Sequence, residues 1–309
     1  MSYDFEEISY KSSDGIHTIH AEIYSPRTAP VGVIAIAHGM VDYVERYKPL
    51  IEYFTERGYV VAGNDHLGHG GSVLSPDDFG FFAKKGGTDF VLTDLNEMIK
   101  YLSRRYANLP LVLLGHSMGS FIARIYAVKY QATLSGLVIH GTAGPNPILP
   151  FGKALAAAVQ FFRGERYRSK LLKKLTTGGY NKTFPKEEGH NAWLTRNTAA
   201  VSDKDKDERG AFTFTVSGYR DLFRMLGGAN SKSWFKSYPK NLPTLVVSGE
   251  DDPVGNFGKG PRYVYNRLKA HGVERLDLKL YEGARHELYN EFNNAEVFND
   301  IEAWLRGVK

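Results

Sequence analysis

Short apolar segments of strand length alternate along most of the chain with longer stretches in which apolar residues recur every three or four positions. The first pattern is typical of buried strands and the second of helices that cover them. This alternation predicts an α/β fold, with a mostly parallel central sheet flanked by helices on both faces. The predicted strands are 31–37, 59–62, 111–114, 134–139, 244–248 and 276–280, and the predicted helices are 47–57, 88–106, 121–129, 219–226, 263–270 and 295–306.

Two regions depart from this alternation. Near the start, segments 7–10 and 18–24 alternate apolar and polar residues around Ser13-Asp14-Gly15, which predicts an antiparallel hairpin. Residues 145–215, called the insertion below, lack any strand pattern. They predict an inserted helical cap on a core domain formed by residues 1–144 and 216–309.

Within the insertion, the predicted helix 151–162 is apolar on most faces, and a basic stretch and a polar patch follow it. It is too short to span a bilayer, so we expect it to be buried or covered. Packing on the core would explain this, and so would a lid whose apolar side forms an acyl pocket or touches a lipid surface.

The composition narrows the function classes without changing this fold. The chain has 309 residues, of which 42% are hydrophobic and 24% charged, as in ordinary globular proteins. It contains no cysteine, which excludes disulfides, thiolate metal sites and a cysteine nucleophile. The first residues are polar and acidic, and no apolar run reaches transmembrane length, so we expect a cytoplasmic protein.

The strongest chemical signal is Gly115-His116-Ser117-Met118-Gly119, which lies between a predicted strand and a predicted helix. A serine at the apex of such a turn has a strained backbone, and glycine-sized residues on both sides let the strand and helix approach. The turn also places the serine hydroxyl at a helix N-terminus, which stabilises negative charge. Ser117 is therefore predicted to be a nucleophile.

A serine nucleophile needs a base, and the base needs an acid that orients it. His286 follows the last predicted strand, and Asp252 follows the strand before it. Parallel strands expose their carboxyl ends at one edge of the sheet, where Ser117 must also lie. We therefore predict His286 as base and Asp252 as acid. Asp252 directly precedes a proline and is preferred over Glu250 and Asp251, but Asp251 stays an alternative.

Stabilising an oxyanion requires two hydrogen-bond donors. The amide of Met40 follows a strand end and a glycine, so it can face the amide of Met118 across the serine. The alternative is that this glycine only makes a turn. Four residues near the same edge are expected to contact the substrate: His38, Gly39, His116 and His140. For His140, a structural hydrogen bond is an equally good explanation.

The segment Asp65-His66-Leu67-Gly68-His69 invites a metal site, because two imidazoles and a carboxylate stand close together. It lacks an H-x-H-x-D pattern, and its glycines indicate a loop whose polar side chains hold the backbone beneath the site. We predict no metal. No cofactor is expected either, because the triad and oxyanion donors all come from protein.

Five segments stand in a fixed order along the chain, namely His38-Gly39-Met40 with 45–47, then 64–72, 115–119, 249–254 and 283–287. In this order they resemble the α/β-hydrolase group that contains monoacylglycerol lipases and bacterial lysophospholipases. The resemblance implies an α/β-hydrolase fold, roles as nucleophile, acid and base for Ser117, Asp252 and His286, and a cap formed by the insertion. The expected activity is hydrolysis of carboxylic esters, as in a monoacylglycerol lipase or a carboxylesterase, and the aromatic and aliphatic residues of the insertion favour an apolar acyl chain.

Three other functions remain open at this stage. A lysophospholipase is one, and a peptidase or carbon-carbon hydrolase with the same triad is another. An aminopeptidase needs an acid in the cap to hold the free amine, and Glu187 or Glu188 is the only candidate. The third is a binding protein without catalysis, which the intact set of Ser117, Asp252 and His286 disfavours.

The net charge of +5 is concentrated in the insertion, which has 13 basic and 7 acidic residues. The remainder is close to neutral, so we expect no nucleic-acid partner. The expected partner is a small-molecule ester or lipid, with contact between the cap and a lipid surface as an alternative to a solvated face. The oligomeric state stays open.

Overall fold

The computed structural model describes residues 3–309 and contains one eight-stranded sheet with helices on both faces. Short 3-10 turns lie in several connecting loops. The strands are β1 (Tyr3–Lys11), β2 (Thr18–Pro26), β3 (Gly32–Ala37), β4 (Tyr59–Asn64), β5 (Leu111–His116), β6 (Gly136–His140), β7 (Thr244–Gly249) and β8 (Leu276–Tyr281). The α-helices are α1 (Lys48–Thr55), α2 (Gly87–Arg105), α3 (Met118–Lys129), α4 (Leu149–Arg163), α5 (Lys170–Thr176), α6 (Thr198–Lys206), α7 (Val216–Ala229), α8 (Lys232–Ser237), α9 (Lys259–His271) and α10 (Asn294–Leu305).

The strands follow the order β1-β2-β4-β3-β5-β6-β7-β8. β1 and β2 form the predicted hairpin, and β2 also pairs antiparallel with β4. The remaining pairs are parallel. All residues of β3, β4 and β5 are buried, which explains why these strands are continuous apolar runs rather than alternating ones. The predicted mostly parallel sheet is confirmed.

Two apolar cores cover the two faces of the sheet. On one face, α2, α3, α7 and α9 contribute buried side chains, among them Met98, Ile122 and Val264. On the other face, α1 and α10 contribute Phe54 and Ile301. This arrangement leaves the carboxyl ends of the parallel strands free of covering helices, so the loops that follow these strands meet at one edge of the sheet.

The insertion lies between β6 and β7, where the described residues form no strand. Its helix α4 packs on α7, and a Cβ atom added at Gly152 would approach the Phe223 ring to 3.4 Å. The expectation that this apolar helix is covered was wrong for its other face. Phe151, Phe161 and Phe162 are 63%, 83% and 78% exposed. Among residues 3–309, no helix combines the length and the apolarity needed to cross a membrane.

Candidate active site

Ser117 lies at a sharp turn between β5 and α3, with φ of 54° and ψ of −118°. Such a left-handed backbone is strained for a residue with a side chain. The two flanking glycines are both sterically required. A Cβ atom at Gly115 would lie 2.4 Å from the Gly119 carbonyl oxygen, and one at Gly119 would lie 1.9 Å from the Ala37 carbonyl oxygen. The predicted role of these glycines in the turn is thereby confirmed.

Asp252 and His286 meet at the carboxyl edge of the sheet, in the loops after β7 and β8. His286 Nδ1 and Asp252 Oδ2 are 2.8 Å apart, and both side chains are buried. The Val254 N–H donates to Asp252 Oδ1 at 2.8 Å, which fixes the carboxylate. The alternative acid Asp251 is exposed, and Glu250 pairs with an arginine on α9. The geometry therefore favours Asp252 as the partner of His286.

Ser117 and His286 line the same cavity. No hydrogen bond joins Ser117 Oγ to the His286 ring among residues 3–309. Such contacts are often long in enzymes without substrate and tighten in the complex. Trp193 of the insertion lies against His286 with ring centroids 5.2 Å apart, and Tyr180 lies against Trp193 at 5.0 Å. The insertion therefore touches the predicted base directly.

The two predicted oxyanion donors, Met40 and Met118, also line this cavity. Met118 is the first residue of α3, so its N–H has no acceptor within the helix and lies at the positive end of the helix dipole. The Met40 N–H donates no hydrogen bond within the described part of the chain. A Cβ atom at Gly39 would lie 3.3 Å from Ser117 Cβ, so the loop after β3 runs beside the serine.

The four expected substrate contacts divide into two pairs. Gly39 and His116 line the cavity, but His38 and His140 do not. The His140 carbonyl accepts the Ser117 N–H at 3.0 Å, and the ring of His38 accepts the His66 N–H at 2.8 Å. Burial lowers the pKa of His140 to about 3, so its ring is neutral. We correct the expectation for His38 and His140: both support the loops beneath the site and do not face the cavity.

The segment around Asp65 holds the backbone of neighbouring loops in place. The Asp65 carboxylate accepts the N–H groups of Val44 and Gly71 at 2.9 and 2.8 Å. Burial lowers the pKa of His69 to about 4 and that of His66 well below its usual value. Within the part of the chain that the structure describes, no group of three histidine or acidic side chains is placed to hold a metal ion.

A family model described as serine aminopeptidase S33 matches residues 28–293 of the chain. The chain belongs to this family. A monoacylglycerol lipase from Mycolicibacterium smegmatis is 27% identical, over 97% of this chain and 96% of the relative. A phospholipase from Bacillus subtilis is 25% identical, over 89% and 95%. Both are thus similar along nearly their whole length.

Solved structures agree with this assignment. A thermostable carboxyl esterase from Bacillus coagulans, solved with glycerol, superposes with a TM-score of 0.92 and 29% identity over 98% of each chain. The α/β-hydrolase fold predicted from the sequence is therefore confirmed. This S33 protein is an enzyme of the carboxylic ester hydrolase class.

Sequence reasoning missed the charged bridge that joins two loops of this S33 hydrolase. Arg46 donates to Asp42 at 2.7 Å and to Glu287 at 3.0 Å, so it ties the loop after β3 to the loop of His286. The charged residues that flank His286 pair with residues elsewhere in the chain. Arg285 pairs with Glu188. In the sequence, segment 45–47 stood out only because it resembles the family, and that resemblance did not indicate that Arg46 binds Asp42 and Glu287.

The cavity of this S33 hydrolase has a volume of about 1160 Å³ and two chemically different walls. Side chains of α3, α4 and α7 form an apolar wall, to which Phe121, Leu149, Leu222, Phe223 and Leu226 contribute. Lysines of α5 form part of another wall: Lys170, Lys173 and Lys174. These three are exposed and make no ion pair with any described residue. The cavity can thus hold a hydrocarbon chain together with a polar or anionic group.

Proposed function

We propose that this S33 hydrolase cleaves monoesters of apolar acyl chains, glycerol monoesters foremost, through an acyl-enzyme on Ser117. One observation carries the proposal. The strained Ser117, His286 and an apolar wall line a single cavity, and the buried Asp252 contacts His286 Nδ1 at 2.8 Å. The similarity to a monoacylglycerol lipase and to an esterase solved with glycerol supports the choice of alcohol.

In the proposed mechanism, Ser117 Oγ attacks the ester carbonyl while His286 Nε2 accepts its proton. Asp252 holds the imidazolium through Nδ1, which fixes the tautomer that leaves Nε2 facing the serine. The Met40 and Met118 N–H groups donate to the oxyanion of the tetrahedral intermediate. The intermediate collapses, and His286 protonates the departing alcohol. Water, activated by the same histidine, then attacks the acyl-enzyme and releases the acid.

The apolar wall is the proposed acyl site, and the insertion is its cap. Burying one methylene contributes about 0.8 kcal/mol, or roughly fourfold in kcat/KM for each carbon that enters the site. We expect kcat/KM to rise from acetate to octanoate esters. A series that peaks at acetate and collapses by octanoate would contradict the acyl site.

Two other activities can be compared with this proposal, and the structure disfavours the first of them. An aminopeptidase needs a free acid to bind the substrate amine, but Glu188 pairs with Arg285, and neither Glu187 nor Glu188 lines the cavity. A lysophospholipase is a second candidate because the lysines of α5 line the cavity without ion-pair partners. A comparison of monoacylglycerol, lysophosphatidylcholine and proline amide hydrolysis separates the three.

Replacement of the nucleophile tests the proposal. Ser117→Ala is expected to lower kcat for p-nitrophenyl octanoate by about a millionfold, by analogy with other triads. Circular dichroism should show an unchanged fold, because the smaller side chain still fits the turn. Hydrolysis at the wild-type rate by Ser117→Ala would refute the mechanism and leave the family assignment untouched.

A further inference from the structure

Lys204 is a lysine of the insertion that reaches the loop of the proposed oxyanion site. It lies on α6 and is 8% exposed. Its ammonium donates to the Val41 carbonyl oxygen and, at 2.9 Å, to the Gly210 carbonyl oxygen. The first contact spans 163 positions of sequence. It connects the insertion to the residue that follows Met40.

The ammonium has no carboxylate within ion-pair distance among the described residues. Asp42, Glu287 and Asp205 act on it from a greater distance, and the first two pair with Arg46. A buried charge without such a partner is costly. Burial accordingly lowers the pKa of Lys204 to about 8. Its contacts show a group held by backbone carbonyls and not by an ion pair.

Val41, which accepts the hydrogen bond from Lys204, has an unusual backbone conformation. Val41 has φ of 56°, which is strained for a β-branched side chain and costs about 1 to 3 kcal/mol. Such a conformation persists only where neighbouring groups impose it. On the other side of Val41, Asp42 is fixed by Arg46 at 2.7 Å and by the Tyr47 hydroxyl at 2.9 Å. Lys204 and Asp42 thus hold the strained residue from both sides.

We propose that Lys204 is a positioning residue for the oxyanion site, because its hydrogen bond to the Val41 carbonyl sets the direction of the Met40 N–H. The inference rests on the proposed function, in which that N–H stabilises the oxyanion. A donor aimed at charge that develops in the transition state contributes to kcat rather than to substrate binding. Loss of one complete oxyanion donor costs about 100- to 1000-fold in kcat. A donor that is only misaligned should cost less.

Kinetics of Lys204→Met test the inference, with Lys206→Met as the matched control on the exposed face of α6. We expect kcat to fall by about 10- to 100-fold with KM changed by less than about twofold. The affinity for a trifluoromethyl ketone that mimics the tetrahedral intermediate should fall by the same factor. The affinity for a non-hydrolysable ether analogue of the substrate should stay constant. Lys206→Met should match the wild type in every measurement.

Two results with Lys204→Met would overturn the inference. One is a kcat for Lys204→Met equal to that of the wild type. The other is an equal loss of affinity for the ketone and the ether, which would indicate general damage to the cavity. If Lys204→Met does not fold, Lys204→Arg replaces it, because arginine keeps N–H donors near the Val41 carbonyl. The kcat of this variant should stay within about tenfold of the wild type, with KM unchanged. A larger loss of kcat would also overturn the inference. Failure of the proposed function would look different, because Ser117→Ala would then retain activity.

Discussion

Two parts of the insertion contact the rest of the protein in different ways. The apolar pair, helices α4 and α5, has exposed phenylalanines and one side-chain hydrogen bond to residues outside the insertion, between Gln160 and Arg220, as far as the described residues show. The anchored segment, residues 188–210, bonds to two loops of the site. Arg196 pairs with Glu291, and the Glu287 N–H donates to the Leu194 carbonyl at 2.6 Å.

The anchored segment reaches the second loop as well. Asp207 accepts from the Tyr43 hydroxyl, and Arg209 pairs with Glu45 at 3.2 Å. The loops that hold Met40 and His286 are therefore fixed to the same short segment. We therefore propose that residues 188–210 support the chemistry, whereas α4 and α5 cover the substrate. Local opening should occur within the two helices themselves, since fewer side-chain bonds must break there. The residues between them are held more firmly, because Arg166 pairs with Asp78 and Arg168 donates to the Phe79 carbonyl.

The largest expected effect comes from breaking the anchored segment at Glu291. Its buried carboxylate accepts from Arg196 Nε at 2.7 Å and from the Arg285 N–H at 2.9 Å. Glu291→Ala should lower the free energy of unfolding by about 3 kcal/mol and kcat by about 100-fold, because the His286 loop loses its support. Urea unfolding and ester kinetics measure both. Gln160→Ala, which removes the bond from α4, should change stability by less than about 0.5 kcal/mol. Equal effects of the two variants would contradict the comparison.

A smaller effect should appear in the pH dependence of stability. The pKa of Lys204 is about 8 in the folded protein against 10.5 ordinarily, so between these values the unfolded chain binds more protons and Lys204 makes stability rise with pH. The charged groups that act on Lys204 are three carboxylates and a guanidinium: Asp42, Asp205, Glu287 and Arg46.

The stability of the wild type relative to Lys204→Met should therefore rise by about 2 kcal/mol between about pH 7 and about pH 9.5. Denaturant unfolding of both proteins at the two pH values measures this difference. A difference that is constant with pH would show that Lys204 keeps its charge throughout.

The apolar pair can be tested at its exposed face. The double variant Phe161→Ser and Phe162→Ser should lose about tenfold of its activity on lipid dispersions, because less apolar surface enters the interface. Activity on a soluble butyrate ester should stay within about twofold. Ile16→Ser is the control, since Ile16 is 71% exposed in the turn between β1 and β2, outside the insertion. An equal loss on both substrates would mean that these rings support the fold and not the interface.

The smallest effect is expected at the lysines of α5. Replacing Lys170, Lys173 and Lys174 with glutamine should reduce kcat/KM a few-fold for an ester with a phosphate group, and only at low salt, because salt screens exposed charges. A neutral glycerol ester should be unaffected. Lys182→Gln with Lys186→Gln is the control, because both are exposed and neither lines the cavity. Salt-independent rates in wild type and variant alike would mark the lysines as a solvated surface.

Sequence reasoning was most successful where short-range constraints decide the structure. The turn at Ser117 follows from two glycines that no larger residue can replace, and the placement of Asp252 and His286 follows from parallel strand ends. The exposed face of α4 was mispredicted because coverage depends on a distant partner. The positions of His38 and His140 depended on side-chain direction at a strand end. The contacts of Lys204 with Val41 and of Arg46 with Glu287 gave no local signal, since these partners lie 163 and 241 positions away.

Labelling with a fluorophosphonate shows whether Ser117 is the nucleophile. We expect intact-protein mass spectrometry to show one adduct and peptide mapping to place it on Ser117, with no adduct on Ser117→Ala. His286→Ala should react more slowly by orders of magnitude, because the serine loses its base. An adduct on another serine, or equal labelling of Ser117→Ala, would contradict the account.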